Sequence, residues 1–218
     1  MTVTISRLYD DYSAASQAVR DLEALGLRSQ DISIVASNAD NWYMPDVKSS
    51  SRKVTERKDT DHDGKDDRME GAETGAGIGS VIGGVAGLLA GLGILAIPGV
   101  GPVVAAGWLA GTAAGAVAGG ATGGIVGALT QAGVSKEDAH AYAEGVRRGG
   151  TLVTARVPDG ERSRYESILD RSAVNIRERS ENYHEAGWAK FDETAKPYTQ
   201  EEIRKDRDNY QTTTRLGH

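Results

Sequence analysis

The chain contains no cysteine. Disulfide bonds, thiolate nucleophiles and cysteine-based zinc sites are therefore excluded. A basic excess is also missing. Lys and Arg number 25 against 31 Asp and Glu, a formal charge of -6, and the pI is near 5.3. An electrostatic nucleic-acid binder needs a basic face, so no nucleic-acid partner is expected. The first residues, MTVTISRLYDD, lack the basic region and apolar run of a secretory signal. The N-terminal part is expected to stay in the cytoplasm.

Catalytic motifs are missing as well. His62, His140, His184 and His218 are scattered, with no H-E-x-x-H pair. No serine sits in G-x-S-x-G. Glycine is abundant at 28 residues, yet no G-x-x-x-x-G-K-[ST] loop occurs. The G-x-G clusters lack the complete dinucleotide fingerprint after a strand. No enzyme is expected.

Charge is missing locally too. No charged side chain lies between Glu73 and Lys136. The mean hydropathy of -0.40 averages this uncharged middle with very polar flanks. Within it, Gly75, Gly79, Gly83, Gly87 and Gly91 recur every fourth residue. After Pro98-Gly-Val-Gly-Pro102 the spacing resumes at Gly107, Gly111, Gly115, Gly119, Gly123 and Gly127. Glycine costs about 0.8–1.0 kcal/mol per helix position relative to alanine. Small-xxx-small stripes offset this by letting helix backbones approach closely. Residues 74–135 are thus predicted to form a glycine-zipper helical hairpin, with helices over 74–97 and 103–131. Each exceeds the roughly 20 residues that span a bilayer core. Trp108 would then serve as an interfacial anchor. Insertion from the cytoplasmic face of the inner membrane, with lipid as partner, is one expectation. Alanine and glycine are only weakly hydrophobic, so a hairpin buried in a cytoplasmic homo-oligomer is the other.

The flanks carry the sheet-forming patterns. In residues 1–38, Val3 and Ile5 alternate with polar residues as in a strand. Ala15, Ala18, Val19, Leu22 and Leu25 fall on one helical face, with Gly26 as the stop. Asp31–Ala36 reads as a second strand. In residues 136–178, Ser135-Lys-Glu-Asp138 resembles a capping box, and Gly149-Gly150 end that helix. Thr151–Val157 is a strand, Tyr165, Ile168 and Leu169 lie on a helix, and Val174-Asn-Ile176-Arg is a short final strand. The two halves give a split ferredoxin-like α+β sandwich, βαβ…βαβ, with the first and third strands central. Residues 179–218 form a polar tail. Trp188, Phe191 and Tyr198 anchor it, and Thr199-Gln-Glu-Glu202 starts one short helix. Loose docking on the protein's own surface is expected of it.

The polar linker, residues 39–73, contains one metal-ligand spacing. Asp59-Thr-Asp61-His-Asp63-Gly64-Lys65-Asp-Asp67-Arg-Met-Glu70 follows the calcium-loop pattern D-x-D-x-D-G with an acid at position twelve. Asp59, Asp61 and Asp63 would supply carboxylates, Lys65 its carbonyl, Asp67 a direct or water-bridged ligand, and Glu70 a bidentate one. Asp66 stands where an aliphatic residue is usual, and no second loop exists. A solvated acidic linker is the alternative to Ca²⁺.

Three stretches resemble the bacterial general-stress-protein family with the YflT-like (heat-induced stress protein) domain. They are TISRLYDDYSAASQAVRDLEALGLRSQDISIVA, GAGIGSVIGG…AIPGVGPVVAAG and VSKEDAHAYAEGVRRGGTLVTARV, together about two thirds of the chain. The resemblance implies a role in the general stress response without enzymatic activity. It carries over no catalytic motif.

Overall fold

A computed structural model describes residues 1–39, 42–43, 92–97, 99–112, 124–206 and 208. Its centre is a five-stranded antiparallel sheet of order β1-β5-β2-β4-β3. The strands are β1 (Thr2–Tyr9), β2 (Ile32–Ser37), β3 (Gly93–Ile97), β4 (Gly101–Gly107) and β5 (Thr151–Pro158). The helices are α1 (Tyr12–Ala24), α2 (Gly124–Gln131), α3 (Lys136–Arg147), α4 (Arg162–Leu169) and α5 (Ile176–Glu185). The fold is α+β, as the alternation of periods predicts.

Several elements follow directly from local chemistry. α1 buries Ala15, Ala18, Val19 and Leu22 at helical spacing. Gly26 takes φ +92° beyond its end, and the Leu27 amide returns to the Leu22 carbonyl at 3.1 Å, closing the last turn. Ser135 caps α3 by accepting the Asp138 amide at 3.0 Å. At 199–202 the box is reciprocal. The Glu202 carboxylate accepts the Thr199 amide at 2.8 Å, and the Thr199 hydroxyl accepts the Glu202 amide at 3.3 Å.

The pairing departs from the ferredoxin-like expectation at both sheet edges. β5 lies between β1 and β2, with Ile5 opposite Ala155 and Ile34 opposite Val153. β1 is an edge strand and not central, because the expected fourth strand does not form. The Val174 amide donates to the Leu8 carbonyl at 2.8 Å, a single bond along that edge. The next residue, Asn175, then accepts the Arg177 and Glu178 amides at 3.2 and 3.5 Å. This N-cap turns the chain into α5. Residues 176–185, assigned by pattern to strand and tail, are helical for that reason.

The sheet grows instead beside β2. Residues Gly93–Ile97 and Gly101–Gly107, predicted to lie in two zipper helices, form a β-hairpin. Leu95 pairs with Val103, and Val35 of β2 pairs with Ala105. The reason is composition near the turn. Ile94, Ile97, Val100, Val103 and Val104 are β-branched, and β2 offers a ladder that satisfies their backbone. The zipper series therefore breaks at its centre. Gly107 ends β4 at φ +89°, and a Cβ there would collide with the Ile32 carbonyl. Gly111 sits in a helical turn over 108–112 where a Cβ would meet nothing within 4 Å among the described residues. In α2, Ile125, Ala128 and Leu129 are buried while Gly127 stays partly exposed. Gly75, Gly79, Gly83, Gly87, Gly91, Gly115, Gly119 and Gly123 lie outside the described residues.

Both faces of the sheet are covered. On one, Ile5, Tyr9, Ile34, Val153 and Val157 pack with Val19 and Leu22 of α1 and with Tyr165, Ile168 and Leu169 of α4. On the other, Leu8, Val35, Val103 and Leu152 pack with Leu109, with Ile125 and Leu129 of α2, and with Tyr142 and Val146 of α3. Phe191 of the C-terminal segment completes that second core.

Gly107→Ala and Gly111→Ala separate this arrangement from a zipper, which would tolerate neither. The strained backbone at Gly107 alone is expected to cost about 1–3 kcal/mol, and the clash adds to it. Gly111→Ala is expected to be neutral or to stabilise by up to about 1 kcal/mol. Paired urea melts of the two variants measure both.

Candidate functional site

Where β1 ends, the chain turns through Asp10 and Asp11 into α1. Asp11 occupies the helix N-cap in an extended conformation, yet its side chain makes no capping bond. Its carboxylate is left facing outward at the end of the sheet. The C-terminal end of β2 and the N-terminal end of β5 lie beside it, because both run antiparallel to each other and β5 antiparallel to β1. Together with Trp42 these ends line a cleft of about 170 Å³, bounded by Asp10, Asp11, Tyr12, Ser37, Trp42 and Thr151. Ile203, from the helix over 200–206, closes one side.

The aromatic wall is pinned. The Trp42 indole Nε1 donates to the Ser37 carbonyl at 2.8 Å. The Tyr43 amide donates to Asn38 Oδ1 at 3.0 Å, and Asn38 Nδ2 donates back to the Tyr43 carbonyl at 3.1 Å. The Tyr12 and Trp42 rings lie 4.5 Å apart, tilted by 43°. Burial is the main cause that raises the Tyr12 phenol above its ordinary pKa, with the neighbouring Tyr43 adding to it.

Asp10 also belongs to a charge network that centres on a buried carboxylate. Glu144 is fully buried. It receives Arg148 Nε at 2.7 Å and Arg147 Nη1 at 3.4 Å. Arg148 also meets Asp206 at 3.1 Å and lies 4.3 Å over the Tyr183 ring. Arg179 holds both Asp10 oxygens at 3.0 Å. Burial opposes the Arg179 charge, but its hydrogen bonds and attraction to Asp10, together with Tyr183, outweigh that and raise its pKa. Burial pushes the Asp206 carboxyl above its usual range, and Arg148 offsets only part of that.

This network fastens the C-terminal segment. Arg147 donates to the Lys196 carbonyl at 2.9 Å and stacks 4.7 Å over Tyr198. Phe191 is 3 % exposed. Where Gly99 turns at φ +72°, a Cβ would stand 2.5 Å from the Asp192 carbonyl, so the segment lies directly on the β3–β4 turn. Up to residue 206 the loose docking expected of a polar tail is replaced by close packing, because arginine–aromatic stacking and buried ion pairs supply contacts that aliphatic counting misses.

The metal-ligand candidates Asp59, Asp61, Asp63, Lys65, Asp67 and Glu70 all lie outside the described residues. Among the described residues, no group of three or more histidines and carboxylates is placed to hold a metal. Among the described residues, no predicted site residue lines the cleft. In the sequence, Asp10, Asp11 and Tyr12 stand between a strand and a helix, and nothing in the pattern joins them to Trp42 or Ile203.

No protein-family model, curated protein or solved structure matches this chain. Among the described residues, no helix is long and apolar enough to cross a membrane.

Removing one partner from a buried ion pair strands the other charges. Glu144→Ala is therefore expected to cost about 3–5 kcal/mol, and to free the C-terminal segment first. Limited proteolysis with mass mapping should show cleavage between 186 and 206 before any cut in the sheet. Uniform cleavage, or none, would show that the segment does not depend on Glu144.

Proposed function

We propose that this chain is a non-enzymatic module of the general stress response that binds a ligand in the cleft at the end of β1, β2 and β5. The carrying observation is the cleft itself. Exposed Trp42 is held by an indole hydrogen bond at its rim, and the same cleft holds a carboxylate with no capping role. Such an aromatic, pre-positioned concavity is a general feature of recognition sites. The sequence supports a binding role over catalysis, since it offers no nucleophile–base pair, and Asp10 is engaged by Arg179. The stress-response assignment rests on the resemblance of the outer blocks and of the glycine-rich stretch.

A second reading, membrane association through residues 74–135, is favoured by their lack of charge. The β3–β4 hairpin weighs against it, since that hairpin takes its central residues into the sheet. Cell fractionation with a carbonate wash separates the two. Complete release is expected, and retention in the membrane pellet would favour the second reading.

The cleft reading is tested by filling the cleft. Ile203→Trp should occupy it from the C-terminal side. Thermal-shift screening with small cations, anions and neutral solutes should find at least one class that raises the Tm of the parent protein but not of Ile203→Trp. Equal shifts in both proteins, or none in the parent, would remove the cleft as the binding site.

A further inference from the structure

We infer that the ligand of this cleft is a small organic cation of the substituted-ammonium class. The inference rests on the cleft reading above and adds to it the chemistry of the occupant. It starts from the charge of the lining residues. Asp10 is neutralised by the bidentate bond from Arg179. Asp11 makes no ion pair or side-chain hydrogen bond among the described residues. Among the described residues, no lysine or arginine lines the cleft. The described lining therefore carries one uncompensated negative charge.

The aromatic groups point the same way. Trp42 is 41 % exposed while its indole N–H is held by the Ser37 carbonyl, so the ring is fixed and still open to solvent. Tyr12 leans against it, and Tyr43 meets it edge-on at 5.8 Å. The Tyr43 hydroxyl donates to the Leu92 carbonyl at 3.1 Å, so this group is tied to the sheet. Aromatic faces carry negative charge, and they attract a cation most strongly when a quaternary or substituted ammonium brings little hydration to lose. Tryptophan is the best such face. A carboxylate beside it supplies the long-range attraction.

Competing occupants fit less well. The N-terminus of α1 would favour an anion, but Asp10 and Asp11 stand in front of it, and like charges there repel. A purely apolar ligand would leave the Asp11 carboxylate desolvated without a partner, which is costly. A bare metal ion would find too few oxygen ligands, since Asp10 is already committed to Arg179.

The experiment uses the full chain, with choline and tetramethylammonium as probes. Their uncharged isostere, 3,3-dimethylbutanol, is the control for shape. Binding is read by the indole N–H resonance of Trp42 and by calorimetry. Saturable millimolar binding of both cations is expected, with the isostere failing to saturate. Trp42→Ala should weaken binding by about two- to fivefold or more, and Asp11→Asn should weaken the cations while leaving the isostere unchanged. Both positions are at the surface, and unchanged melting curves would verify that the variants fold. Equal binding of choline and its isostere would overturn the inference, as would cation binding that both variants leave intact. If anions or neutral solutes stabilise the parent protein and cations do not, the cationic assignment fails while the cleft reading stands. If no class acts through the cleft, both fall.

Discussion

β2 has no exposed residue along its length. Ile32 and Ile34 project to one side, and Ser33, Val35 and Ser37 to the other. A strand of this kind is stable only when both faces of its sheet are covered. One cover is local in sequence: α1 connects β1 to β2, and α4 follows directly on β5. The other cover has no such source. It is assembled from α2, α3, α5 and the C-terminal segment, which a minimal two-layer sandwich would not contain. The chain on either side of the sheet's own units is thereby committed to covering it.

The second cover explains where charge is buried. α3 lies close to the sheet. A Cβ at Gly145 would strike Leu8, and one at Gly150 would stand 2.8 Å from the Gly145 carbonyl. At that distance Glu144 cannot reach solvent, and a lone buried carboxylate would be unstable. Arg147 and Arg148 neutralise it, and their surplus positive charge is met by Asp206 and by the rings of Tyr183 and Tyr198. A pair of this kind contributes little net stability but makes any other arrangement costly. It therefore fixes where the C-terminal segment sits. Ile203 and the cleft wall follow from that position.

The site was hidden from sequence reading for a related reason. Asp11 and Tyr12 belong to a helix start, Trp42 to a polar stretch, and Ile203 to a charged tail. Each has an ordinary local explanation. Their convergence depends on three strand ends meeting and on the segment over 200–206 returning across them. The most conspicuous sequence feature, the four-residue glycine spacing, pointed elsewhere. At Gly107 the glycine answers to a strand end pressed against Ile32, and at Gly111 to no close neighbour among the described residues. Spacing alone could not distinguish these uses, because a small residue satisfies several different backbone demands.

The sequence by itself determined the elements whose signals are local. α1 follows from its apolar face and Gly26, α3 from Ser135 and Gly149, and β1, β2 and β5 from alternation or short apolar runs. The same holds for the capped turn at Thr199 and for the order βαβ…βα. The tertiary structure decided what competition between distant segments settles. Val174 reaches the edge of β1, but the Asn175 cap draws the following residues into α5. The free edge of β2 then goes to β3 and β4, whose β-branched residues gain a hydrogen-bonded ladder there. A backbone amide has equivalent partners in a helix and in a sheet, so the choice falls to burial against a second segment. That segment lies far away in the chain, beyond the reach of periodicity.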